Sequence, residues 1–410
     1  MQIFEYRLDN GIRVIHHPTN SPVAHCGLII NTGSRDETDD EHGLAHFIEH
    51  VIFKGTKKRK TYHILSRIDD VGGELNAYTT KEDTYIYATF LKNDLERAVE
   101  LVSDIAFNST FPSKELKKEK EVIIDEINSY KDNPSELIID DFEELIFHND
   151  PMGRNILGTA ESISTFNKGT IQKFIKNNYH TDEMVFCVVG EFKPNKIERL
   201  SNKYFSHIPT NIRQHKRPSH IPYSPKAIDK TMDTFQTHAV IGNVAYDINH
   251  PDRTALILLN NILGGPGMNS RLNLALREKN GIAYNIESIY SPYSGTGLFC
   301  IYFGTDDNNI NKGLKIVERE MKKMRDTKLG KLQLHNAQRQ LKGQITIANE
   351  NMENLMLGIG KSYLLHNKVD SIEKVYDKID NITSSKIIEV ANEILDPQQL
   401  SYLLYRQSDY

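Results

Sequence analysis

The chain has 410 residues, of which 39% are hydrophobic and 26% charged, as in a folded globular protein and unlike a disordered chain. Its formal net charge of −5 provides no overall positive field, which argues against nucleic acid as a partner. No segment approaches the roughly 20 apolar residues of a membrane span, so no membrane partner is expected.

A chain of this length exceeds one core, since domains hold roughly 100–200 residues, and two domains are expected. The first residues alternate apolar and polar side chains up to a turn at Asn10 and Gly11. This pattern predicts a strand and not a signal peptide, and we expect a cytoplasmic protein. The cysteines lie far apart in apolar runs and are predicted to be buried structural thiols: Cys26, Cys187 and Cys300.

Strand-like and helix-like segments alternate through the first half of the chain. Helices are predicted near 42–54, 60–71, 93–108 and 113–131. Strands are predicted at 12–16, 23–31, 84–91 and 184–190. This alternation is typical of the α/β and α+β classes, in which helices pack on a sheet.

A segment with several prolines among polar and basic residues separates the two halves and is typical of a linker. We place a first domain at 1–210, a linker at 211–228 and a second domain at 229–410. The pattern then restarts with a strand at 237–245 and an apolar helix at 252–263. Because both halves share this order of elements, we infer an internal duplication of about 200 residues.

Two histidines and a glutamate form a His-x-x-Glu-His motif at His46, Glu49 and His50. Residues four apart lie on one face of a helix, so His46 and His50 can bind one metal ion. Glu49 lies within one turn of both and can reach a water molecule on that ion. The bare pattern also arises by chance in on the order of a few per cent of such sequences.

His42 offers a competing pair, because it too lies four residues from His46. Three histidines at this spacing span about 12 Å of helix and cannot share one ion. We choose His46 and His50 because they bracket Glu49, whereas His42 precedes Gly43 at the expected helix start. His42 is then an exposed or capping residue.

A catalytic zinc ion usually takes three protein ligands and leaves one position for water, so a third ligand is required. The helix predicted at 113–131 has an apolar stripe formed by Val122, Ile123, Ile127 and Tyr130. Glu119 and Glu126 lie on this stripe, where an unpaired carboxylate would be costly and a metal site would satisfy it. The alternative is an ordinary charged helix whose glutamates reach solvent.

At these residues the sequence resembles the pitrilysin and insulinase family of inverted zincins, in the branch that includes bacterial homologues of mitochondrial processing peptidase. The resemblance covers nearly the whole chain. It is carried by segments 43–56, 72–79, 153–159 and 276–284, by Ser270-Arg-Leu, and by the separation of His50 from Glu126.

The resemblance implies two homologous domains, each a mixed, mainly antiparallel sheet packed with helices, that face each other as a clam shell. The family's zinc ligands fall on His46, His50 and Glu126. Its general base falls on Glu49 and its supporting acidic residue on Glu119. One zinc ion per chain is expected.

The resemblance also implies residues that contact the substrate. The stretch around Asn76 and Ala77 resembles the edge strand to which family members add a peptide. Arg277 and Tyr284 fall where the opposite domain contacts the substrate carbonyl. Small bacterial relatives pair, so a homodimer is expected.

The expected function is a zinc-dependent endopeptidase that hydrolyses peptides or unfolded segments in an enclosed chamber. Two alternatives are a noncatalytic structural subunit of the same fold and a zinc-stabilised binding protein. The intact Glu49 argues against the first. A metal assay combined with a peptide-cleavage assay separates the second from an enzyme.

Overall fold

Two mixed β-sheets form the framework of the chain in a computed structural model that describes residues 2–217 and 222–408. The first sheet has the order β1-β2-β6-β3-β5-β4 and contains β1 (Phe4–Arg7), β2 (Arg13–Pro18), β3 (Val23–Ile30), β4 (Glu74–Thr79), β5 (Thr84–Leu91) and β6 (Met184–Gly190). The second has the order β7-β11-β8-β10-β9 and contains β7 (Ala227–Met232), β8 (Thr237–Val244), β9 (Ala283–Tyr293), β10 (Thr296–Thr305) and β11 (Ser401–Gln407).

Helices cover both sheets. In the first half they are α1 (Leu44–Val51), α2 (Thr61–Asp69), α3 (Leu95–Asn108), α4 (Ser113–Lys131), α5 (Pro134–Ile146), α6 (Ala160–Thr165), α7 (Lys168–Asn178) and α8 (Pro194–Phe205). In the second half they are α9 (Arg253–Gly264), α10 (Ile310–Asp326), α11 (Lys331–Asn349), α12 (Met352–His366), α13 (Ile372–Asp380) and α14 (Ser384–Ile394). A π-helical segment, Asn273–Glu278, lies between α9 and β9.

The two sheets repeat one topology. β6 is parallel to β2 and antiparallel to β3, just as β11 is parallel to β7 and antiparallel to β8. The hairpin of β4 and β5 has its counterpart in β9 and β10. Both orders end on the first strand of that hairpin, so β4 and β9 are edge strands. The repeated order agrees with the predicted duplication and with two homologous α/β domains.

Apolar layers on both faces of each sheet explain the apolar strands. Every residue of β6 is buried, because helices cover both sides of it. One face of the first sheet packs against the helices that follow its own strands. The other packs against α12, whose Met356 and Ile359 lie among residues such as Ile29 and Cys187. In the second sheet α5 takes the corresponding place, with Phe142 among the buried residues.

The compact units of the structure therefore differ from the contiguous domains predicted at 1–210 and 229–410. The first unit comprises Met1–Asn128, Ile156–Lys216 and Thr346–Ser371. The second comprises Ser129–Asn155, Arg217–Ile345 and Ile372–Tyr410. Each half of the chain thus contributes one helix, α5 or α12, to the sheet of the other half. The physical reason is burial, because each helix covers a sheet face that would otherwise expose apolar side chains.

The structure also bears on the predicted linker, on the three cysteines and on membrane-spanning helices. Of the linker predicted at 211–228, residues 218–221 lie outside the described residues, and the last two belong to β7. The predicted burial of Cys26, Cys187 and Cys300 is confirmed, and all three are free thiols. Among the described helices, none is both long and apolar enough to cross a membrane.

Two glycines of α12 test how tightly this helix seats on the first sheet. A Cβ at Gly360 would overlap the Cδ1 of Ile29, whereas a Cβ at Gly358 meets nothing within 4 Å. Gly360→Ala should destabilise the protein by about 1–3 kcal/mol, the usual cost of overpacking. Gly358→Ala should stabilise it by about 0.5–1 kcal/mol through helix propensity alone. Urea unfolding curves should move in opposite directions, and equal shifts would contradict the proposed close packing.

Candidate metal centre

Helix α1 is short and has two chemically different sides. Leu44, Phe47, Ile48 and Val51 are fully buried at the i, i+3, i+4 and i+7 spacing of an apolar face. His46 is 8% exposed, while Glu49 and His50 are half-buried. The helix is therefore fixed by its apolar face, and its polar side chains have defined positions.

The start of α1 is set by two glycines. Gly43 precedes the helix with φ of 91°, a conformation that favours glycine. A Cβ there would lie 2.7 Å from the Cα of Gly158, which itself has φ of 78°. The close approach leaves His42 in the turn before the helix, half-buried and outside the group of candidate ligands.

The three predicted metal ligands converge. One donor atom from each of His46, His50 and Glu126 lies within 4.8 Å of the other two. The Glu126 carboxylate is 3.9 Å from His46 Nε2 and 3.6 Å from His50 Nε2. A tetrahedral zinc site with bonds of about 2.0–2.1 Å needs donors about 3.3 Å apart, so the group fits zinc with a small contraction. Within residues 2–217 and 222–408 no other such group of three is found.

Glu119 lies behind the ligands. It is 7% exposed, and its Oε2 atom is 3.3 Å from Nδ1 of His50. Its Oε1 atom accepts from the ammonium group of Lys54 at 2.7 Å. Glu119 thus holds the Nδ1 side of His50 and leaves Nε2 facing Glu126, which is how partners of metal-ligating histidines orient the ring.

Protonation favours metal binding at this site. Burial, assisted by the neighbouring His50, lowers the pKa of His46 to about 4, so its ring is neutral near pH 7. Its Nδ1 atom is buried and makes no hydrogen bond to the described residues. Burial also raises the pKa of Glu49, with Glu126 adding to the effect, while Thr79 and His50 oppose it. A raised carboxyl pKa suits a group that both takes up and releases a proton.

The edge strand β4 packs against helix α1, which carries His46, Glu49 and His50. It pairs with β5 along one side, with Asn76 opposite Tyr87 and Ala77 opposite Ile86. Its other side has no partner strand within the described residues. An unpaired edge presents backbone groups to which an extended peptide can add as a further strand.

Arg277 and Tyr284 lie together in the second unit. Arg277 lies in the last turn of the π-helical segment and Tyr284 is the second residue of β9, with a turn between them in which Gly281 has φ of 59°. The guanidinium carbon lies 4.6 Å from the centroid of the Tyr284 ring. Tyr284 is 73% exposed, so it does not pack into the core of the second unit.

Two details of the predicted stripe on α4 were wrong. Val122 is 49% exposed, and the Glu126 side chain is 43% exposed. The buried side of α4 is formed by Leu116, Glu119, Ile123 and Ile127, and Val122 and Glu126 lie beside this row. Glu126 reaches the histidines from the margin of the buried side and does not depend on burial for its position.

Sequence reasoning missed two residues that support the site. Lys54 pairs with Glu119, and Glu37 accepts hydrogen bonds from the start of α1. Lys54 follows the histidine motif within one helical turn of its end, which is a usable signal. Glu37 carries no motif of its own, and only the packing identifies it.

Family models match both halves of the chain. Residues 13–160 match Insulinase (Peptidase family M16), and residues 165–341 match Peptidase M16 inactive domain. The chain is 30% identical over 396 residues to an uncharacterized zinc protease of Bacillus subtilis, covering 96% of this chain and 95% of that protein. The chain therefore belongs to the M16 family of peptidases, which confirms the resemblance inferred from its motifs.

Other proteins and a solved structure are also similar to this chain over most of its length. An uncharacterized zinc protease of Rickettsia felis is 33% identical over 390 residues, covering 95% of this chain and 94% of that protein. The mitochondrial-processing peptidase subunit beta of Saccharomyces cerevisiae is 29% identical over 415 residues, covering 96% of this chain and 89% of that protein. The structure of a protease from Helicobacter pylori has a TM-score of 0.92 with 20% identity over 99% of both chains, which shows the shared fold.

Glu119 and Glu121 provide a matched test on one helix, because Glu119 is buried against His50 and Glu121 is exposed. Glu119→Gln should weaken zinc binding by about 10–100-fold, the usual effect of removing a group that orients a ligand. Glu121→Gln should leave it unchanged. Competition with a chromophoric chelator measures both, and equal zinc affinities in the two variants would remove Glu119 from the site.

Proposed function

We propose that the chain is a zinc-dependent endopeptidase that binds one zinc ion through His46, His50 and Glu126. The observation that carries the proposal is the convergence of these three side chains beside Glu49, which lies on the same helix as both histidines. Relatives named zinc proteases that match almost the whole chain support the choice of metal and of reaction.

Glu49 is the proton carrier in this proposal. A bound zinc ion would supply Lewis acidity to a water molecule and to the carbonyl being cleaved. The Glu49 carboxylate accepts the proton of the attacking water and later delivers it to the leaving amine. Burial raises the pKa of the Glu49 carboxyl, which brings this pKa closer to neutral pH, where a general acid and base has to exchange its proton.

The substrate is proposed to be an extended peptide that pairs with the free edge of β4. The backbone around Asn76 and Ala77 would supply the hydrogen bonds, so binding needs little side-chain recognition. A folded protein would have to unfold locally before a segment could join this edge. We therefore propose that the substrates are peptides and unfolded segments and that they are hydrolysed in an enclosed chamber. The homodimer expected from the sequence stays a prediction.

Arg277 and Tyr284 are proposed to donate hydrogen bonds to the substrate carbonyl as negative charge develops on its oxygen. Their contact with each other supports a paired role, and the high exposure of Tyr284 leaves its hydroxyl available to a ligand. This proposal assigns the second unit a catalytic contribution although the first unit carries the metal ligands.

The metal assignment predicts a specific division among variants. His46→Ala, His50→Ala and Glu126→Ala should lose most of their zinc, because each removes one of three ligands. Glu49→Gln should keep zinc and lose peptide cleavage, because it removes only the proton carrier. Elemental analysis of the purified variants and cleavage of a mixed peptide library measure both properties. His42→Ala is the control, and loss of its zinc would show that the wrong histidine pair was chosen.

Tyr284→Phe isolates one hydroxyl. It should lower kcat/KM by about 10²–10³, the cost of one oxyanion donor, with zinc content unchanged. Tyr62→Phe is a matched control, because Tyr62 is also 73% exposed but belongs to α2. Wild-type kinetics in both Tyr284→Phe and Arg277→Ala would exclude a catalytic role for the second unit.

A further inference from the structure

A short segment between β3 and α1, residues 33–37, has one end bound to the metal-carrying helix. Glu37 is 3% exposed, and its two carboxylate oxygens accept separate backbone hydrogen bonds. Oε2 accepts from the N–H of Gly43 at 2.9 Å, and Oε1 accepts from the N–H of Ala45 at 2.8 Å. We call residues 33–37 the brace.

The helix depends on this carboxylate because it has no cap of its own. Gly43 stands at the N-cap position, where serine, threonine, aspartate or asparagine usually supplies an oxygen to the first turn. No such residue fits there, since the position has φ of 91° and lies against Gly158. Glu37 therefore supplies from outside the helix what the N-cap residue lacks, and its negative charge also suits the positive end of the helix dipole.

The other end of the brace is bound to the turn that joins β4 to β5. The N–H of Ser34 donates to the carbonyl of Thr80 at 3.2 Å, and that of Arg35 donates to the carbonyl of Lys81 at 2.8 Å. The Arg35 guanidinium donates to Glu82 at 2.6 Å, with both side chains buried. This contact is rigid, because separating a buried ion pair is costly.

We propose that Glu37 is a positioning residue of the hydrolytic site, because through the brace it fixes the metal-carrying helix α1 relative to the edge strand β4. The inference rests on the proposed function, in which α1 carries two zinc ligands and β4 receives the peptide. Hydrolysis requires the carbonyl on the strand to meet the groups on the helix within a fraction of an ångström. The brace binds both elements with backbone and buried side-chain contacts only a few residues apart.

The consequence is an effect on metal binding and on turnover together. Loss of the Glu37 contacts loosens the first turn of α1, which spreads the positions of His46 and His50 and weakens the metal site. Peptide binding depends on the edge of β4, which the Ser34 and Arg35 contacts still hold. We therefore expect kcat to fall more than KM rises.

The test compares Glu37→Gln with Glu41→Gln in the full chain. Glu41 belongs to the same connection, and its carboxylate also accepts a backbone hydrogen bond, from Thr38 at 3.1 Å, but among the described residues no hydrogen bond joins it to α1. Glu37→Gln places an amide group where two N–H donors point. It should weaken zinc affinity by about 10-fold in a chelator competition and lower kcat more than it changes KM. Glu41→Gln should match the wild type in both.

A purely structural role gives a different result. Glu37→Gln would then unfold at a lower temperature but keep wild-type zinc affinity and kcat well below that temperature, which would overturn the proposal. Glu37→Asp serves if Glu37→Gln does not fold, because it keeps the buried charge yet reaches at most one of the two N–H groups. It should weaken zinc binding by about 3-fold, because one of the two contacts that orient the ligand-bearing helix is lost. Unchanged zinc affinity and kcat in Glu37→Asp would also overturn the proposal. Absence of zinc binding in the wild type would instead reject the proposed function itself.

Discussion

The Glu126 carboxylate faces the Nε2 atoms of His46 and His50 at 3.9 and 3.6 Å, and the local structure of the first unit serves to hold these donors together. The histidines come from an eight-residue helix and the glutamate from a helix much later in the chain. Neither helix could fix such a distance alone. Burial of the apolar face of α1 provides one restraint, and the contact of Glu119 with His50 and Lys54 provides another.

The duplicated architecture separates stability from chemistry. Both units use the same strand order, but the described part of the second has no group of three metal-ligating side chains. Its counterpart of α1 is α9, in which Leu256, Leu259 and Leu263 are fully buried. Where one copy places histidines beside an apolar face, the other is apolar on more of its surface. The family model that covers this part of the chain carries the name inactive domain, in agreement with this difference.

The sequence alone predicted the parts of the structure that depend on local pattern. Strands β5 and β6 occupy the predicted ranges, because β6 is a continuous apolar run and β5 is rich in aromatic and β-branched residues. The pairing of His46 with His50 followed from helical spacing together with the position of Glu49 between them. The third ligand needed the family resemblance, since Glu126 is partly exposed and spacing along α4 did not separate it from Glu119. The exchange of α5 and α12 could not be predicted, because periodicity shows that a helix has an apolar face and not which sheet it covers. The role of Glu37 depends on a close approach of Gly43 and Gly158, which no single-sequence pattern reveals.

The most direct test of zinc binding by His46, His50 and Glu126 is an anomalous difference map at the zinc absorption edge, from crystals of the wild-type protein. We expect one strong peak per chain, about 2.0–2.2 Å from Nε2 of His46, Nε2 of His50 and one carboxylate oxygen of Glu126. Glu49 should lie near the peak without ligating it. A peak bound by His42, or no peak at these three side chains in zinc-loaded crystals, would contradict the assignment of His46, His50 and Glu126 as the zinc ligands.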